Sequence, residues 1–147
     1  MRYLIWIGIL SGCAVSPEAP ESSATFSGSM AVHSSRATQG DTFHGAPYHR
    51  WTITLGTVDG CGGDDQVSVE INTVSGVTAI PIATVPLRTD LNSVAMLPSA
   101  YLTYSAATVS GGSITIESSN GAFVVGSFAA QTSVGELTAT FGAPVCN

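Results

Sequence analysis

Residues 113–141, SITIESSNGAFVVGSFAAQTSVGELTATF, decide the fold. The dipeptide Asn120-Gly121 separates Ile116 from Phe123, and Asn-Gly between alternating apolar residues is a strong signal for a tight hairpin. Ser133 to Gly135 gives a second turn. The strands predicted on either side of these turns cover residues 113–117, 122–131 and 136–141. Together they predict a three-stranded antiparallel meander that ends the domain.

The same strand periodicity continues upstream. Trp51, Ile53 and Leu55 alternate with polar residues, and so do Val67, Val69 and Ile71, so each run predicts one core face and one wet face. Further runs cover residues 25–32, 77–85 and 101–109. About eight strands without a helical pattern predict an all-β domain. We favour a single antiparallel β-sandwich, with a barrel as the alternative.

Prolines and loops refine this layout. Pro81 and Pro86 remove backbone donors, which places the run 77–85 at a sheet edge or a crossover. Residues 34–48 and 88–99 are predicted to be the two long loops, with room for one helical turn at 91–97. Functional residues concentrate in loops that a rigid scaffold carries.

The N-terminus combines one positive charge with a short apolar run. The sequence Leu10-Ser11-Gly12-Cys13 follows Arg2 and an apolar run, and it resembles the lipobox of bacterial lipoproteins. That resemblance implies cleavage before Cys13, a diacylglyceryl group on its sulfur and an acylated amine. Eight apolar residues are too few to span a bilayer, because a spanning helix needs about 20. A buried N-terminal strand is the alternative reading.

This resemblance implies a domain organisation and a cellular location. Residues 1–12 are the signal peptide, 13–23 the lipidated cysteine with a flexible tether, and 24–147 the folded domain. Ala14 replaces the aspartate that retains many such proteins in the inner membrane. In a bacterium with two membranes, we therefore expect the outer one, with the domain facing either side.

The cysteine count fits an exported lipoprotein. Of three cysteines, Cys13 is used by lipidation, which leaves Cys61 and Cys146 as a pair in an oxidising compartment. Their disulfide would close a loop of about 86 residues, for which chain entropy gives roughly 4 to 5 kcal/mol of stabilisation. Two free thiols or a metal-binding pair are the alternatives.

Charge excludes one class of partner. The chain has four Lys and Arg residues against ten acids, and loss of the signal peptide shifts its net charge from −6 to −7. Such a chain repels phosphate backbones, so we predict no nucleic-acid binding. Anionic lipid headgroups repel it too. The lipid on Cys13 is then its contact with the membrane.

The closing meander carries a second resemblance. The motifs G-S-I-T-I, V-G-S-F-A-A and L-T-A-T-F-G-A-P-V-C, within 110–146, are similar to the last strands of small bacterial lipoproteins of unknown function, many of them from myxobacteria. Gly142 departs from the polar residue that often follows the final Phe. The resemblance implies a tight meander and offers no catalytic residues to transfer.

Two groups of residues are candidate metal ligands. Three imidazoles would suit zinc or copper. Carboxylates on a glycine-rich turn would suit calcium. Neither spacing matches a standard site, and Asp and Gly also build ordinary turns. We therefore predict no cofactor. The candidate ligands are His33, His44 and His49 for zinc or copper, and Asp59, Asp64 and Asp65 for calcium.

The aromatic residues divide into core and loop positions. Trp51 and Tyr104 have core parity, whereas Phe43 and Tyr48 lie in the first long loop and are candidates for binding a partner. No G-x-S-x-G motif precedes a helix, so no nucleophile is predicted. The sequence favours a noncatalytic binding or structural module of the envelope with a protein or glycan partner. The alternatives are a metal-binding lipoprotein and, less favoured, a hydrolase.

Overall fold

A computed structural model describes residues 23–26, 34–40, 49–56, 61, 66–74, 79–89 and 98–146. This part of the chain contains strands and no helix, and therefore no helix able to cross a membrane. The nine strands are β1 (Ser23–Phe26), β2 (Ser34–Gly40), β3 (His49–Gly56), β4 (Val67–Thr73), β5 (Thr84–Pro86), β6 (Ser99–Tyr104), β7 (Val109–Ser119), β8 (Phe123–Thr132) and β9 (Gly135–Cys146).

Eight of these strands form one continuous sheet. Their order is β5-β7-β8-β9-β2-β3-β4-β6, and β1 pairs with β9 beside this path. A parallel bridge between Leu87 and Ala100 brings the two ends of the order together. The sheet is thus nearly closed into a barrel and is compatible with either of the two predicted architectures. The all-β prediction is confirmed.

Strand β9 joins the two halves of the sheet. One edge pairs with β8 along ten residues, from Gly135 to Pro144. The other edge pairs with β1 through Leu137 to Thr140 and then, in parallel, with β2 through Val145 and Cys146. This parallel pair makes the sheet mixed. The alternation of apolar and polar residues along a strand does not indicate whether its neighbour runs parallel or antiparallel.

The core lies on the concave side of this sheet. Ala37, Ile53, Val69 and Leu102 are successive partners across four strands, and all four are buried. Trp51, Leu55, Val67 and Ile71 are buried with them, so the predicted core parity of β3 and β4 is confirmed. Each fully buried aliphatic side chain contributes roughly 1.5 to 3 kcal/mol relative to exposure.

The predicted meander is confirmed in β7, β8 and β9. In the first turn the side-chain oxygen of Asn120 accepts hydrogen bonds from the backbone N–H groups of Ala122 and Phe123, at 3.0 and 2.9 Å. Gly121 has φ of 82°, a conformation that glycine adopts without steric cost. In the second turn the Thr132 hydroxyl donates to the Gly135 carbonyl at 2.7 Å.

Three predicted boundaries are wrong. Residues 34–40 form β2 instead of starting a long loop, because backbone pairing with β3 and β9 holds a segment with little apolar alternation. Residues 101–109 do not form one strand, since a turn closed by Ala107 N–H on the Tyr104 carbonyl separates β6 from β7. The run 77–85 reduces to β5, which ends the sheet order, as its prolines predict. Residues 91–97 lie outside the described part.

Candidate functional site

A disulfide joins Cys61 to Cys146, with their Cα atoms 5.7 Å apart. The predicted pairing is confirmed. Cys146 is the partner of Thr38 in the β2–β9 ladder, and the preceding pair, Ala37 with Val145, belongs to the core. Because successive strand residues face opposite ways, the disulfide lies on the convex, outward side of the sheet.

The same outward side carries a band of polar residues, which we call the polar face. Strand register places Arg50, Asn72 and Ser99 in one row, and Thr52, Glu70 and Tyr101 in the next. Thr54, Ser68 and Thr103 form a third row. The polar face consists of these nine residues of β3, β4 and β6. It backs directly onto the apolar core row of Ile53, Val69 and Leu102.

The two charged residues of the polar face, Arg50 and Glu70, pair with each other. A guanidinium nitrogen of Arg50 lies 3.6 Å from a carboxylate oxygen of Glu70. Both side chains are about one-third exposed, at 34% and 31%. A pair this exposed contributes roughly 0 to 1 kcal/mol, so it stabilises the fold little. It leaves further guanidinium N–H groups of Arg50 for another acceptor, since arginine carries five.

Asn72 is the exceptional residue of the polar face. Its side chain is 2% exposed, yet neither its amide nitrogen nor its carbonyl oxygen has a hydrogen-bond partner in the described structure. An unsatisfied buried polar group costs roughly 1 to 3 kcal/mol. Ser99, its neighbour in the row, is equally buried. The face therefore holds a costly unpaired amide beside an accessible arginine.

The arginines of the folded domain lie on or next to strands β2, β3 and β5. Beyond Arg2 the chain has three arginines and no lysine. Arg50 lies on the polar face, and Arg36 is the backbone partner of Thr54 on β2. Arg88 donates its backbone N–H to the Ala100 carbonyl, next to Ser99 and Tyr101. Strands β7, β8 and β9 contain no Arg or Lys.

The aromatic residues of the sheet follow their predicted parity. Trp51 is buried in the core, where its indole N–H has no described hydrogen-bond partner, and Tyr104 packs partly buried against the same core. Both predicted packing roles are confirmed. Tyr101 is buried on the polar face, which its position in the sequence did not indicate.

Most of the residues singled out from the sequence lie outside the described part: Cys13, His33, Phe43, His44, Tyr48, Asp59, Asp64 and Asp65. His49 begins β3 opposite Thr73, and its side chain is not among those described. Within the described residues, no three His, Cys, Asp or Glu side chains are grouped so as to hold a metal ion. The metal sites stay predictions.

The polar face was missed by sequence reasoning. Alternation marks Arg50, Glu70 and Asn72 as wet-face residues of two strands, and solvent exposure is the ordinary expectation for such positions. Only the pairing of β4 with β6 shows that Asn72 stands beside Ser99.

Comparison with known proteins adds no relative. A scan against protein-family models, a search of curated proteins and a search of solved structures each found no match to the chain. The polar face is therefore interpreted from its own chemistry.

Proposed function

We propose that this protein is a bacterial lipoprotein, a noncatalytic binding or structural module that a lipid on Cys13 anchors in the cell envelope. The Cys61–Cys146 disulfide carries the proposal. It uses two of the three cysteines and leaves Cys13 as the single thiol of the chain. That cysteine is also the one in the lipobox-like sequence, so the pairing and the motif point independently to the same residue.

The same disulfide supports an exported location. Structural disulfides persist in exported proteins and are rare in the cytosol of ordinary bacteria. The segment 13–23 then serves as a tether between lipid and domain, because its prolines and glutamates give little to bury. Stable anchoring takes two acyl chains or more, which the lipobox chemistry supplies. Ala14 favours the outer membrane over the inner one.

A noncatalytic role suits the polar face. Glycoside hydrolysis ordinarily needs two carboxylates that flank the bond. Of the nine residues that form the face, only Glu70 carries a carboxylate, and Arg50 engages it. A binding function asks only for hydrogen-bonding groups on a rigid support, and the sheet provides both.

Metabolic labelling with palmitate tests the anchor. The full chain is produced in a bacterium with two membranes, beside Cys13→Ser and the double variant Cys61→Ser/Cys146→Ser. We expect label on the parent and on the double variant, and none on Cys13→Ser. Membrane fractionation should follow the label. Label retained on Cys13→Ser, or intact-mass data that show Met1 still attached to the parent, would overturn the proposal.

A further inference from the structure

We infer that the polar face binds a carboxylate-bearing sugar, with Arg50 receiving the carboxylate and Asn72 receiving a neighbouring hydroxyl. This inference rests on the proposed binding role and adds to it a site and a ligand class. Its basis is the coincidence on one face of an unpaired buried amide and a half-engaged arginine.

Asn72 defines the hydrogen-bonding part of the ligand. Its carboxamide has two N–H donors and one carbonyl acceptor, and both ends are unpaired among the described residues. A ligand that satisfies both ends of this amide must accept one hydrogen bond and donate another, with the two groups no farther apart than the nitrogen and oxygen of a carboxamide. A hydroxyl group does both, and two vicinal hydroxyls, or a hydroxyl beside a carboxylate, do so at the required spacing.

Arg50 defines the charged part of the ligand. Arginine binds carboxylates through paired N–H donors. Glu70 engages one guanidinium nitrogen at 3.6 Å, a distance longer than a charge-assisted hydrogen bond, so a better-placed carboxylate can compete with it.

The exposure gradient gives the ligand a direction of approach. Arg50 and Glu70 are about one-third exposed, whereas Asn72 and Ser99, which share the row of Arg50, are 2% exposed. An incoming acid therefore meets the charged pair of Arg50 and Glu70 first and the buried amide of Asn72 second. Long-range attraction to Arg50 would speed the encounter with the acid, and hydrogen bonding of its hydroxyl to Asn72 would then provide specificity.

The remaining side chains of the polar face favour a sugar over an apolar ligand. Thr52, Ser68 and Thr103 carry hydroxyl groups on this face. Ligands with large apolar groups need apolar walls. None of the nine positions that form this face carries an aliphatic side chain without a hydroxyl. A hydroxyl-rich face matches a hydroxyl-rich ligand.

Two matched pairs of monosaccharides test the ligand class. Glucuronic acid is compared with glucose, and N-acetylmuramic acid with N-acetylglucosamine, by titration of the isotope-labelled full chain in detergent followed by NMR. We expect each acid to bind at least about tenfold more tightly than its neutral counterpart. Added NaCl should weaken the binding of the acids. Equal affinities within both pairs, or no binding of either acid up to about 10 mM, would overturn the inference.

Variants test the two named residues. Asn72→Leu and Arg50→Gln should each weaken binding of the acids about tenfold or more, while Ser127→Ala, on the outward side of the meander, should leave it unchanged. Dispersed amide resonances in the NMR spectrum of each variant confirm that it is folded. Arg50→Gln is the safer variant for folding, because the Arg50 side chain is about one-third exposed. Parental affinity in both variants would refute the assignment.

The ligand assignment and the lipid anchor can be tested separately. Cys13→Ser lacks the lipid and keeps the polar face, so we expect it to bind the acids as the parent does. An unlabelled Cys13 with normal binding would overturn the anchor alone. A labelled Cys13 without binding would overturn the ligand assignment alone.

Discussion

Gly126 on β8 stands directly opposite Phe141 on β9, and the Phe141 ring occupies the space that a side chain at Gly126 would need. A Cβ atom added there would lie 2.9 Å from the Cζ atom of Phe141. It would also overlap the carbonyl oxygen of Thr115 on the other side. Phe141 is 2% exposed, so this glycine allows a large aromatic ring to pack on the sheet.

Gly126→Ala should destabilise the protein. The new methyl group meets a backbone carbonyl that cannot move without shifting β7, so we expect a loss of about 1 to 3 kcal/mol in the free energy of unfolding. Urea denaturation followed by tryptophan fluorescence measures it. The control is Ser127→Ala, which alters the outward face and should change stability by less than about 0.5 kcal/mol. Equal midpoints for both variants would contradict the packing described.

Removal of the disulfide should cost more. Cys61→Ser/Cys146→Ser releases a long loop in the unfolded chain, and chain entropy predicts a loss of about 4 to 5 kcal/mol. Thermal unfolding with and without reductant measures the effect. Reductant should lower the parental Tm towards that of the double variant and leave the double variant unchanged. A parental Tm insensitive to reductant, with both thiols then alkylated, would contradict this prediction.

Much of the fold follows from local sequence signals. The meander is predictable because Asn120-Gly121 and the turn at 133–135 fix which strands pair, and neighbours in sequence become neighbours in the sheet. The core parity of Trp51 and Ile53 is predictable because strand side chains alternate. In both cases a short segment of sequence is enough to predict the local structure.

The rest depends on pairing between distant segments. Strand β2 is stabilised by backbone hydrogen bonds to β3 and β9, and a strand selected by its neighbours needs no apolar alternation of its own. The polar face has the same origin. Asn72 and Ser99 are 27 positions apart in the sequence, and only the β4–β6 register brings them together. No local pattern encodes such a contact.

The Asn120 turn should respond to loss of one oxygen atom. In Asn120→Ala, the backbone N–H groups of Ala122 and Phe123 lose their shared acceptor, and we expect a loss of about 1 to 2 kcal/mol. Asn120→Asp keeps that oxygen and is the control, with a smaller loss. Urea midpoints provide the comparison. Equal losses for Ala and Asp would show that the side-chain acceptor does not stabilise the turn.

Asn72 offers the sharpest contrast between stability and function. Asn72→Leu removes an unpaired amide from a buried site and keeps a similar side-chain volume, so we expect the free energy of unfolding to rise by about 1 to 2 kcal/mol. The measurement is the urea midpoint at constant m value. Ser99→Ala, in the same row, is the control and should change stability little.

A destabilised Asn72→Leu variant would also be informative. Asn72→Leu could instead lower the free energy of unfolding by more than about 1 kcal/mol. The Asn72 amide would then be hydrogen-bonded in solution, and these bonds would offset the free energy needed to remove it from water. A stabilised variant instead shows that the parent keeps an amide that its fold does not need. Proteins retain such a residue where binding requires it, because natural sequences trade stability for function at their sites. Stability and sugar affinity should therefore move in opposite directions in this one variant.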